Sequence, residues 1–418
     1  MKVAVIGAGA SGVSSAKHIK ENGFECDVFE MAEGLGGTWI YTDDVGEDKY
    51  GFPVYSAMYK NLRTNLPKEV MGFPDFPVAS DKKSYLTQNE VLELLNQYVD
   101  HFQLRNLIKF NCMVTDVRPV KENKWQLTYI HKPSKEYHTL IYDAIMVCNG
   151  HYNQPFWPKF EGQEHFSGTI DHSHTFRSAQ KFEGKNVIIV GAGPSGLDLT
   201  LQVSKYAEKV YFSHHSSQAA KTIFPINVEH KPDIKRIIDG GTVEFVDDSC
   251  CCVDAIILCT GYKYNFPFLH ESCGITVDDN FIQPLYKHMI NLEMPTMCFI
   301  GIPFTVCTFH MFDLQARYFC KYLNGSLSLP STEEMREDTN KDMQRRWANG
   351  IQKKQAHGMG EYQQEYYDDL ASAADTKPIN PVLVKLRDYS VQQLYENLIH
   401  FRENKYKIID RETFVRVN

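Results

Sequence analysis

Residues 3–6 form a four-residue apolar run that stops at Gly7, and residues 13–21 then place apolar positions at helix-compatible spacing up to Gly23, which suits the left-handed position after a helix. The pattern predicts strand, glycine turn, helix. A second strand is predicted over Glu25–Phe29, ending at Glu30. The same plan returns with a strand over Asn186–Val190, the turn Gly191-Ala-Gly193-Pro194-Ser195-Gly196 and a helix from Leu197. Closing segments repeat as well: Asp143-Ala-Ile-Met-Val-Cys-Asn-Gly150 parallels Asp254-Ala-Ile-Ile-Leu-Cys-Thr-Gly261, each an apolar strand stopped by a glycine. A duplicated α/β plan follows, with two Rossmann-like domains built for dinucleotides.

Between the first turn and its closing strand lies a long insertion, predicted as a helix over residues 89–102, with Thr87 and Glu90 as a capping box, and a strand meander over residues 108–142. From about Ser331 the chain is polar and helix-prone, broken near Pro378 and Pro381, and is expected to wrap the first domain and to serve self-association as a homo-oligomer. The expected division is a discontinuous first domain of residues 1–157 and 279–418, with a second domain of residues 158–278 inserted into it.

The 418 residues, 43% hydrophobic and 23% charged, fit an ordinary globular protein of two to three domains' length. A net charge of −8 offers nothing to nucleic acid or an anionic membrane, so a small-molecule partner is expected. Eleven cysteines, an odd number without CxxC spacing, read as reduced thiols; the run Cys250-Cys251-Cys252 is expected to be a loop of inert thiols, and no metal site is expected. The longest apolar stretch, residues 297–312, is interrupted and too short to span a bilayer, so no membrane anchor is expected. The expected location is cytoplasmic; residues 2–10 read as mature strand and turn, and secretion stays open if an upstream signal was removed.

The chemistry follows from the turns. Gly7, Gly9, Ala10, Ser11 and Gly12 would let a pyrophosphate approach a helix N-terminus, and Glu30, 18 residues after Gly12, would accept ribose hydroxyls. At the second turn, Gly191, Gly193, Pro194, Ser195, Gly196 and Asp198 are candidates for the same task. The equivalent offset there falls on His214, in the run Ser213-His214-His215-Ser216-Ser217 with Lys221 nearby, and no carboxylate stands at that position. A carboxylate repels a 2′-phosphate, so the first site suits FAD and the second NADPH. Gly37 and Thr38 are followed by Trp39 where a disulfide reductase would carry a redox cysteine; a tryptophan there offers an apolar wall for a flavin.

These residues resemble the class B flavin-containing monooxygenases over nearly the whole chain. Besides the two turns, the stretch from Phe166 through Gly168 and His172 to Phe176-Arg177 fits the family signature FxGxxxHxxx(F/Y)(K/R), and further matches are Glu33-Gly-Leu-Gly-Gly-Thr-Trp39, Thr64-Asn65-Leu66-Pro-Lys-Glu69 and Cys259-Thr-Gly-Tyr262. Phe176-Arg177 favours the heteroatom-oxygenating branch over the Baeyer-Villiger relatives. The short form, ending in residues 413–418 without a hydrophobic anchor, is similar to the soluble insect members, some of which N-oxygenate plant pyrrolizidine alkaloids. The resemblance implies that NADPH reduces FAD, that dioxygen adds at flavin C4a, and that the hydroperoxide passes one oxygen to the nitrogen or sulfur of a soft nucleophile. It implies Asn65 as the flavin-side amide, with Thr64 and Leu66 beside it, and Gln315 and Arg317 in a segment lining the flavin; exposed helix positions are the other reading of that pair. Arg177 is either a phosphate partner or a solvated arginine, and His172 and His174 are structural or nucleotide-contacting. A flavin reductase or oxidase that releases hydrogen peroxide without oxygen transfer is the alternative function.

Overall fold

The structure is a computed structural model, and it describes residues 1–417; Asn418, the last residue of the terminus 413–418, lies outside the described residues. The first predicted unit forms as a strand at Lys2–Ile6, a helix at Ala10–Glu21 and a strand at Glu25–Phe29. Gly23 takes φ +73°, as the end of that helix requires. These strands sit in a seven-stranded sheet whose order is 285–286, 290–291, 297–299, 144–147, 2–6, 25–29 and 108–109. All its neighbours from 297–299 onward are parallel.

Alternation within the strands divides the core. Val3, Val5 and Val28 face the helices Ala10–Glu21, Gln88–His101 and Thr308–Leu323, while Ala4, Ile6 and Phe29 pack with Trp125, Leu127 and Tyr142 of the antiparallel meander 112–142. The capping box of Thr87 and Glu90 is present at the start of Gln88–His101.

The second unit is a five-stranded, all-parallel sheet in the order 228–231, 209–213, 186–190, 255–258, 169–172, with the helix Pro194–Val203 following its glycine turn. Cys250–Cys252 is a strand paired with Thr242–Phe245, which corrects the expected loop; alternation buries Cys251 and exposes Cys250 and Cys252. The apolar stretch 297–312 is divided into a strand, a turn at Gly301 and the first turn of the helix Thr308–Leu323. Among the described residues no helix is long and apolar enough to cross a membrane.

The C-terminal segment supplies helices Thr332–Ala348, Gln363–Ala373 and Pro381–Glu396 and ends in a hairpin, Lys405–Ile408 with Phe414–Val417. It grips more than the first unit. Tyr85 of the first unit bonds Ser390, and Thr222 and Asp198 of the second bond Tyr395 O and Arg402.

Candidate active site

A cavity of about 780 Å³ opens at the carboxyl ends of strands 2–6 and 144–147, where open parallel sheets place their ligands. Gly7, Gly9, Ala10 and Ser11 line it, together with Glu30, Gly37, Thr38 and Trp39. The first turn is shaped by contact rather than by flexibility. Gly7 sits at φ +105°, where a Cβ would meet Cys148 O at 2.6 Å, and a Cβ on Gly12 would lie 1.8 Å from Gly7 O. Gly12 therefore packs the helix against the strand and does not line the cavity. Gly9 caps the helix with no side-chain acceptor, so the amide groups of the first turn are free for an anion.

Glu30 is buried, and its two carboxylate oxygens accept the backbone N–H groups of Ala8 and Ala32, each at 2.8 Å. Each oxygen keeps a further lone pair for a ligand. Burial raises its pKa although those two bonds oppose the rise. A carboxylate so placed fits a vicinal diol and opposes a phosphate. Among the residues that sequence reasoning missed, Lys132 lines this end of the cavity, buried and paired with Asp48, and Met113 and Thr115 stand beside it. Gly301, Thr308, Phe309 and Phe312 also line the cavity.

Several predicted residues are placed otherwise. Thr64, Asn65 and Leu66 are not among the lining residues. The Thr64 hydroxyl accepts Leu86 N at 3.0 Å, Leu66 packs against the core, and Asn65 is half-buried with no partner for its carboxamide among the described residues. Gln315 is fully buried rather than exposed. Its Oε1 accepts Gly301 N at 2.9 Å and its Nε2 donates to Tyr366 Oη at 2.7 Å, so it holds the Gly301 turn from behind the cavity wall. Arg317 pairs with Asp313 at 2.7 Å. Arg177 is buried, neither solvated nor free for a phosphate at its two terminal nitrogens: they donate to the carbonyls of His174, Phe176, Asp44 and Ser56 and so tie the segment 44–56 to the second unit.

The second turn repeats the first in its backbone. Gly191 sits at φ +103°, a Cβ on Gly196 would lie 1.8 Å from Gly191 O, and Pro194 opens the helix, with Ser195 next to it. A Cβ on Gly193 would meet nothing within 4 Å, so this turn is open above. Three expected cofactor contacts are spent inside the protein. Asp198 is buried and accepts Tyr59, Gln202 and Arg402; the Ser213 hydroxyl donates to Pro232 O at 2.8 Å; His214 accepts Ser216 N at Nδ1 and bonds His230 Nδ1 through Nε2 at 3.1 Å. Burial and the neighbouring His230 lower the His214 pKa, so the ring is neutral near pH 7 and carries no charge for a phosphate.

Around Tyr152 and Tyr262, where His151, Tyr152 and Asn153 line the first cavity, lies a cluster of unsatisfied polar atoms. His151 Nδ1, Asn153 Oδ1, His172 Nε2 and His174 Nδ1 are buried without a partner among the described residues. Aromatic rings join them: His151 to Tyr152 at 4.3 Å, Tyr152 to Tyr262 at 5.4 Å, and His172 to Tyr262 at 5.3 Å between centroids. Burial lowers the pKa of His151 and of His172 to about 4. Each such atom costs about 1–3 kcal/mol unless something bonds it, which marks this crevice as a place for a hydrogen-bonding ligand.

The profile described as "Flavin-binding monooxygenase-like" matches residues 1–220 and 218–393. The chain belongs to the flavin-binding monooxygenase family. It is 34% identical to senecionine N-oxygenase of Tyria jacobaeae, over 99% of this chain and 91% of that protein. Among solved structures it superposes on S-allyl-L-cysteine S-oxygenase from Allium sativum with a TM-score of 0.90 and 32% identity, covering 97% of this chain and 95% of that one. Tmm from Pelagibacter gives 0.89 and 30%, covering 100% and 96%. Membership makes this protein a flavin-dependent monooxygenase of two-domain α/β architecture. The cavity fits the flavin cofactor that membership implies: a glycine cradle, free helix amides, a buried carboxylate with lone pairs to spare and an aromatic wall occur together in it.

Proposed function

We propose that the first cavity holds FAD, that NADPH docks on the second turn, and that the enzyme oxygenates the nitrogen or sulfur of a soft nucleophile, leaving an N-oxide or S-oxide. Two of the relatives named above are an N-oxygenase and an S-oxygenase, which supports the class and not the substrate. The observation that carries the reading is Glu30, buried at the cavity's edge with a lone pair left on each oxygen.

The expected division of labour is simple. The amides after Gly9 would hold the pyrophosphate, Glu30 would hold the adenosine ribose, and Trp39, Phe309 and Phe312 would keep water from the flavin. When bound, flavin reduced by a nicotinamide supplies the activation of dioxygen. The crevice of His151, Asn153, His172 and His174 would receive the nicotinamide end of NADPH, and its stranded atoms would be the hydrogen-bonding groups that hold it. Neutral imidazoles suit that role, because a cation there would hinder hydride departure from the dihydronicotinamide. The Asn65 carboxamide, half-buried and without a partner among the described residues, lies outside the cavity lining and would have to turn toward the cavity to act as the donor to the reacting oxygen.

The residues 1–157 and 279–418 would then form the FAD domain and 158–278 the NADPH domain. The test is product mass spectrometry with labelled dioxygen over a panel of tertiary amines, alkaloids and thioethers. One labelled oxygen in a product, with NADPH consumed in equal amount, supports the reading; hydrogen peroxide matching NADPH with every substrate overturns it in favour of an oxidase.

A further inference from the structure

Asp198 stands on the helix that leaves the second glycine turn, yet none of its bonds leads to that turn. One carboxylate oxygen takes the Tyr59 hydroxyl and Gln202 Nε2, and the other takes Arg402 Nη1 at 2.6 Å. Arg402 arrives from the C-terminal segment, and its remaining nitrogens donate to Thr64 O at 3.1 Å and Arg63 O at 3.3 Å. These are the two carbonyls immediately before Asn65. The Asn65 carbonyl itself accepts Ser390 Oγ at 3.2 Å, so the backbone at this point is fixed from both sides while its carboxamide stays free.

A buried ion pair is a weak device for stability alone, since desolvating both charges consumes most of what their attraction returns. A planar guanidinium that serves a carboxylate with one edge and two carbonyls with the others does set a geometry, which an apolar pair would not. We propose that Asp198 and Arg402 are positioning residues that fix the Asn65 turn of the first unit against the nucleotide-binding helix of the second, so that the carboxamide is held in register with the flavin site. The proposal rests on the reading of Asn65 and of the two nucleotide sites given above.

The test uses the flavin-loaded enzyme and a substrate that the labelled-oxygen panel has identified. Asp198→Asn and Arg402→Lys should keep flavin content and NADPH-driven bleaching, while hydrogen peroxide released per NADPH rises several-fold toward its limit of about one, since misplacing a catalytic group by about 1 Å slows its step by up to about 100-fold. The double variant should release no more than the worse single one, because either change opens the same link. Should Asp198→Asn lose its flavin, Arg402→Lys keeps the charge but offers one nitrogen for three acceptors, and carries the test alone. Peroxide release equal to that of the unaltered enzyme, with only a lower Tm, overturns the proposal. Failure of the underlying reading looks different: the unaltered enzyme would itself transfer no oxygen, or Asn65→Ala would leave peroxide release unchanged.

Discussion

At both glycine turns the first glycine adopts nearly the same backbone, φ +105° at Gly7 and +103° at Gly191, and at both the last glycine meets a carbonyl at 1.8 Å if given a Cβ. What surrounds them differs. Gly9 faces Gly37, whose Cα lies 3.5 Å from the Cβ position, inside a walled cavity; Gly193 faces open space. Glu30 ends the second strand of one unit with lone pairs to spare, whereas His214, at the matching place, has both nitrogens occupied. One backbone motif thus stands in two settings, walled on most sides at the first turn and open above at the second. The motif fixes how a pyrophosphate can approach; the walls decide how long it stays.

The sharpest way to break this comparison is to damage each turn in the same manner. A methyl group at Gly12 or Gly196 overlaps backbone that cannot step aside, at a cost of about 3 kcal/mol. Gly12→Ala is expected to yield colourless protein. Gly196→Ala is expected to stay yellow and bleach with dithionite while NADPH bleaches it at least 10-fold more slowly, roughly the effect of 1.4 kcal/mol at the barrier. Flavin loss in both would show that the two units do not bind separately.

Glu30→Gln is a smaller change. One end of the amide would turn N–H toward a backbone N–H, at about 1–3 kcal/mol, or a roughly 10- to 100-fold rise in the Kd for FAD measured by titration of the apoprotein. An unchanged Kd would remove Glu30 from the site.

These contrasts show what is legible in the sequence. The glycine turns, the first two strands and the capped helix at Gln88–His101 can be read from it because each depends on neighbours within a few residues. Glu30 can be read because its distance from Gly12 is set by one helix and one strand. Gln315, Arg177 and Asp198 escape for the opposite reason: the partners that decide their roles lie 14 to 204 positions away, and only folding shows whether a polar side chain meets a ligand or a carbonyl. Lys132 gives no local signal. Gly150 and the residues after it could be named as cavity wall, since they follow a parallel strand beside the first turn. Cys250–Cys252 reads as a loop because three cysteines show no apolar alternation, although burial in the sheet alternates.

Acid is the next lever, acting on the crevice between the units. His151 and His172 are held neutral by burial, with pKa values near 4 against an ordinary 6.5. The unfolded chain binds their protons first, so the stability they permit is present above about pH 6.5 and is lost as the pH falls toward 4, by about 1–3 kcal/mol for each ring. Tm followed from neutral pH to about pH 4 should fall less steeply in His172→Asn than in the unaltered protein. Equal slopes would mean that His172 titrates normally in the fold.

The smallest expected effect lies at His214. If the second turn reads its nucleotide as the first does, through the residue after the second strand, then His214→Ala should cost most of the preference for NADPH over NADH. The bonds to Ser216 and His230 argue otherwise. A neutral ring with both nitrogens engaged has neither charge nor donor for a 2′-phosphate, so His214→Ala should change the KM for NADPH by less than about 3-fold, under 1 kcal/mol. Lys221, exposed in the same segment, offers an ammonium, and Lys221→Ala should narrow the NADPH to NADH ratio more than His214→Ala does. The reverse order would show the ring turning from His230 toward the ligand, and the two turns would then be alike in the one respect in which the structure sets them apart.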